Sequence, residues 1–103
     1  LYPCHQFVGE EAFKLGDIYT GVTNKKIQDE FASCNVYARK ECADCWARLY
    51  CSGGCAANAY HATGSVKGVY EEGCELFCKR LECALAVAII RDMKENNHED
   101  ADC

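Results

Sequence analysis

The chain has 103 residues, ten of them cysteine, and a formal net charge of −5. That cysteine density marks a chain that does not hold itself together by apolar burial alone. The length sets a one-domain expectation, the scattered Lys and Arg leave no basic stripe for nucleic acid, and the longest apolar run, ALAVAII at residues 84–90, is too short to span a bilayer.

The same run is too short, and wrongly flanked, to serve as a signal-peptide core. The chain starts at Leu1 rather than Met and is read as a piece of a longer polypeptide.

In chain order, LYPCHQF and AFKLGDIYTG read together as a β-hairpin, with Gly9 in the connection and Gly16 at a bulge or turn. Asn24 is the expected N-cap of a helix over KKIQDEFASC, whose Ile27 and Phe31 lie one turn apart. NVYARKE reads as loop. The stretch CADCWARLYCSGGC, residues 42–55, reads as turns and short helical pieces. CAANAYHATG reads as a short helix stopped near Gly64. After a loop over SVKGVYEEG, a long helix is expected over about residues 73–94. Cys74, Cys78, Leu81, Leu85 and Ala88 share one of its faces, and Glu75 and Lys79 are placed to pair on the wet side. ENNHEDADC is polar, and residues 96–103 are expected to form a disordered tail. The predicted fold class is therefore α+β: a small N-terminal hairpin, short helices and one long C-terminal helix, with residues 1–95 as a single domain.

Ten cysteines allow either a secreted disulfide framework or an intracellular metal site. Cys42 and Cys45 form a C-x2-C pair. One tight turn aims two such sulfurs at a single ion, whereas a disulfide across that spacing is strained. Cys51 and Cys55 follow around Ser52, Gly53 and Gly54, and the two glycines let backbone come close to a bulky group. Cys4 and Cys74 lie far off in sequence, as closing ligands often do. These features favour metal, and with it a cytoplasmic location, over a disulfide knot. A zinc ribbon carries two C-x2-C pairs a dozen or more residues apart, which this chain lacks. Irregular thiolate spacing suits iron–sulfur clusters, although spacing alone leaves zinc open.

Taken together, Cys4, the C-x2-C-x5-C-x3-C run at Cys42, Cys45, Cys51 and Cys55, and Cys74 resemble the SPASM domain. That domain is the C-terminal auxiliary-cluster module of radical S-adenosylmethionine enzymes that modify peptides. LYPCHQFVGEEAFKLGDIYTG is similar to its hairpin, with LGDI in place of the frequent LGNI. YCSGGCAANAYHATG and GCELFCKRLECALA are most similar to the maturases of six-cysteines-in-forty-five peptides, which install thioether crosslinks. The resemblance covers about residues 1–90.

The resemblance implies two auxiliary 4Fe–4S clusters. It assigns Cys42, Cys45, Cys51 and Cys74 to the second cluster and Cys4 and Cys55 to the first. The family pattern has a further cysteine upstream of Cys4 that is absent here, and Cys34 is a candidate substitute. The C-x3-C-x2-C loop that binds S-adenosylmethionine is also missing: Cys74 and Cys78 are followed by Leu81 rather than a third cysteine. The resemblance thus implies an accessory part without activity of its own. Its partners would be a radical core domain on the same polypeptide and a cysteine-rich precursor peptide, with no nucleic acid and no membrane. A zinc-stabilised cysteine-rich interaction module is the alternative reading.

Other residues have plainer expectations. Cys78 and Cys83 read as buried helix thiols, His5 as a surface residue and His61 as a structural hydrogen-bonder. Trp46 and Tyr50 are expected to shield the cluster from water. Arg39, Lys40 and Arg48 could offset cluster charge, against a base expectation of solvated surface residues.

Overall fold

The computed structural model describes residues 1–99, with side chains described through residue 96. The chain divides into two units, residues 1–70 and the segment from Glu71 onward. In the first unit a two-stranded antiparallel pair, β1 (Gly16–Asp17) and β2 (Gly21–Val22), precedes four helices. These are α1 (Lys25–Ala32), α2 (Lys40–Ala43), α3 (Arg48–Cys51) and α4 (Ala56–Thr63). The second unit is the single helix α5 (Glu71–Glu99).

The fold class is the mixed one expected, but the hairpin is smaller and lies later in the chain. His5–Phe7 and Glu11–Phe13 are 3-10 turns, not strands. The reason lies in where the aromatics go. Phe7 and Phe13 both enter one core with Ala57 and Val66, and their ring centroids sit 4.1 Å apart. Tight turns aim both rings inward. The expected pairing survives only locally, as the Leu15 N–H donating to the Leu1 carbonyl at 2.8 Å. Ile27, Phe31 and Tyr60 pack on the outside of this core, with the Phe31 ring edge-on to Phe7 and Phe13. Burying a phenylalanine side chain contributes about 1.5–3 kcal/mol.

The caps fall where the sequence places them. The Asn24 side chain accepts from the Ile27 N–H at 3.3 Å and starts α1. α4 ends at Gly64, whose φ of +80° is the left-handed conformation that closes a helix without a Cβ penalty. NVYARKE is not plain loop, because Val36–Ala38 forms a 3-10 turn capped by the Asn35 side chain.

In the β1–β2 connection, the Asp17 carboxylate accepts from the backbone N–H groups of Tyr19 and Thr20, both at 2.8 Å. The Thr20 N–H first, then the Tyr19 N–H, holds its carboxyl below the ordinary value of 3.8. A carboxylate with a lowered pKa stabilises the turn above that ordinary value, and the contribution is lost as pH falls through the lowered one. Acid titration is therefore expected to move the Tyr19 and Thr20 amide resonances together below about pH 4. In Asp17→Ala those amides are expected to show no such step.

α5 begins earlier and runs further than the expected 73–94, and residues 96–99 of the expected tail continue it. Residues 100–103, including Cys103, lie outside the described residues. Lys79 pairs with Glu82 at 2.7 Å rather than with Glu75, since residues three apart are also neighbours on a helix surface. Gly73, Phe77, Cys78 and Leu81 are half-buried, whereas Leu85 and Ala88 of the expected apolar face are exposed. Among the described residues no helix is long and apolar enough to cross a membrane.

Candidate functional site

Five of the six expected ligands lie in the first unit, most of them at the ends of short elements. Cys4 precedes the His5–Phe7 turn and packs against the aromatic core, and its carbonyl accepts from the Phe7 N–H at 3.2 Å. Cys42 is buried within α2. The Cys45 N–H donates to the Cys42 carbonyl at 3.1 Å, so the C-x2-C pair forms one tight turn. Cys45 is held in turn by the Arg48 side chain, whose Nη1 donates to its carbonyl at 3.3 Å. Cys51 ends α3, and its carbonyl accepts from the Gly54 N–H at 3.2 Å.

Ser52, Gly53 and Gly54 then follow with φ of +57°, +93° and +73°. Three successive left-handed residues reverse the chain and deliver Cys55 to the N-cap position of α4. The Cys55 thiol is exposed and donates to Gln6 Oε1 at 2.9 Å. Gln6 sits two residues from Cys4, so the structure brings Cys55 to the turn that follows Cys4. Nothing in the sequence singled out Gln6, because this contact joins residues 49 apart.

Cys74 lies in the first turns of α5, in the second unit. Cys34 is engaged elsewhere: its thiol donates to the Val66 carbonyl at 3.1 Å and its sulfur accepts from Arg39 Nη2 at 3.1 Å. Cys83 is exposed rather than buried. His61, expected as a structural hydrogen-bonder, is exposed, with Nε2 3.3 Å from Glu10 Oε1 and its ring centroid 5.5 Å from that of Tyr60 and 6.1 Å from that of Phe7. His5 is exposed.

The aromatic shield is not where the sequence suggested. Trp46 is 54% exposed and Tyr50 66% exposed, with Leu49 beside them. Trp46 and Ala47 form the turn that leads into α3, and this turn takes Ala47 into the interior while Trp46 and, on α3 itself, Tyr50 stay outside.

The charge-offset reading divides three ways. Lys40 is exposed. Arg39 is only 5% exposed, and among the described residues no carboxylate forms an ion pair with it. Its Nη1 donates to the Gly53 carbonyl and its Nη2 to the Val66 carbonyl at 2.6 Å. Nε of Arg39 and Nε of Arg48 are both buried without an acceptor. A buried guanidinium without an anion is costly. Each of the two guanidinium groups, Arg39 just before the cysteine stretch and Arg48 within it, therefore keeps one buried N–H without an acceptor.

Among the described residues no three Cys, His, Asp or Glu side chains are gathered closely enough to hold a metal ion. The donor set fits a soft, anionic thiolate-bound centre by chemistry, but the thiols are not preassembled around one point. Metal sites commonly form only as the ligand binds. Comparison with family models finds no match to this chain, and comparison with curated proteins finds none either.

Proposed function

We propose that this chain is an auxiliary 4Fe–4S domain of a radical S-adenosylmethionine enzyme that installs thioether crosslinks in a ribosomal peptide. In this reading Cys42, Cys45, Cys51 and Cys74 hold one cluster, Cys4 and Cys55 contribute to another, and the catalytic core lies elsewhere on the same polypeptide. The observation that carries the reading is the pair of buried, acceptor-free guanidinium nitrogens of Arg39, three residues before the four-cysteine stretch, and Arg48, within it. Anionic cluster sulfurs are the acceptors that such donors lack, and hydrogen bonds to those sulfurs set a cluster's potential. A bound cluster would supply electron relay or, at an iron with an open position, a site for a peptide thiolate.

Anaerobic reconstitution with iron and sulfide tests the reading. About four irons per chain, matched by acid-labile sulfide, are expected if one cluster forms. Cys45→Ala is expected to lose them, because it removes one arm of the C-x2-C turn. Full iron content in Cys45→Ala would overturn the ligand assignment. Zinc bound tightly by the chain as isolated, with no iron taken up, would favour the cysteine-rich interaction module instead.

A further inference from the structure

Arg39 ties together three pieces of backbone that the sequence keeps apart. Its carbonyl accepts from the N–H groups of Cys42, at 3.1 Å, and Ala43, at 2.9 Å, which starts the helix bearing Cys42, the first member of the C-x2-C pair. Its Nη1 reaches the Gly53 carbonyl, in the turn between Cys51 and Cys55. Its Nη2 reaches the Val66 carbonyl and Cys34 Sγ, at the edge of the aromatic core. A guanidinium offers five donors in a rigid fork, and few side chains could span these acceptors at once. Gly53 itself is shaped for the contact, since a Cβ at that position would stand 2.6 Å from Arg39 Nη1.

We infer that Arg39 is the positioning residue of the four-cysteine stretch: its side chain fixes the Ser52–Gly54 turn against the core, and with it the placement of Cys51 and Cys55 relative to Cys42. It also keeps Cys34 out of the ligand set by holding that sulfur at Val66. The inference deepens the metal-site reading and rests on it for the function of the placement, but the brace itself stands on contacts within the metal-free chain.

The test has a metal-free arm and a metal arm, on the full chain. In the reduced, metal-free protein, alkylation of each cysteine by iodoacetamide is followed by mass spectrometry in wild type, Arg39→Met and Arg39→Lys. Loss of hydrogen bonds from a buried charged group is expected to speed Cys34 and Cys51 by about tenfold or more in Arg39→Met. Cys4, which packs on the core, is expected to keep its wild-type rate. Arg39→Lys keeps the charge but not the fork and is expected to resemble Arg39→Met. In the metal arm, Co2+ alone is titrated and its sulfur-to-metal charge-transfer band recorded. Affinity is expected to fall at least about tenfold in both variants, with an altered band.

Unchanged Cys34 and Cys51 rates in folded Arg39→Met would overturn the inference, as would full recovery by Arg39→Lys, which would reduce Arg39 to a charge. Acceleration of Cys4 alongside the others in both variants would make Arg39 a general fold residue and also overturn it. Failure of Co2+ to bind wild type counts against the metal-site reading alone, and the alkylation arm still decides the role of Arg39.

Discussion

Phe7→Ala is expected to lower the unfolding free energy of the 1–70 unit by about 3–5 kcal/mol, the range for deleting a buried phenylalanine ring. Phe7 has no exposed surface and lies at the centre of the aromatic group. Phe13, Phe31, Tyr60 and His61 all place their rings within 6.1 Å of it. Such neighbours cannot collapse into the hole, because each is held by its own element: Phe31 by α1 and Tyr60 and His61 by α4. A small domain holds only about 5–15 kcal/mol in total, so the loss is a large share of its stability. Phe31→Ala should cost less, since that ring is half-buried. Urea unfolding followed by far-UV circular dichroism measures both. Equal costs for the two would show that Phe7 is not the centre of the core.

The parts of this fold that were legible in the sequence are those set by local chemistry. Asn24 caps a helix because its short side chain reaches an N–H three residues on, and Gly64 ends one because it adopts left-handed backbone freely. Neither depends on what packs nearby. The hairpin misled for the opposite reason. LYPCHQF and AFKLGDI alternate well enough to suggest strands, but a core that draws in both Phe7 and Phe13 selects tight turns. Tertiary packing overrides short-range pattern in pieces this short.

The candidate site divides along the same line. The C-x2-C turn was readable from two residue names and their spacing. The partners of Arg39 lie 5, 14 and 27 residues away, so no one local window contains all three. The contact of Cys55 with Gln6 is longer-range still. The exposure of Trp46 and Tyr50 was equally hidden, because it depends on which sides of α3 and of the turn before it face inward.

Gly53 and Gly54 offer a way to weigh the Arg39 brace without touching Arg39. Both have left-handed backbone, with φ of +93° and +73°. An alanine at either position therefore carries the same conformational cost, about 1–2 kcal/mol. Their surroundings differ. A Cβ on Gly54 meets nothing within 4 Å, whereas one on Gly53 drives into Arg39 Nη1. Gly53→Ala must push the guanidinium off the Gly53 carbonyl, leaving a second unsatisfied donor beside the already acceptor-free Nε. That adds about 1–3 kcal/mol, the cost of a buried polar group without its partner. Gly54→Ala is thus expected to lose only the backbone share and Gly53→Ala roughly twice that or more. The excess should vanish in an Arg39→Met background, where there is no fork to displace, and a double-mutant cycle measures that coupling directly. An excess that persists without the guanidinium would place its origin in the turn itself and leave Arg39 without a hold on Cys51 and Cys55.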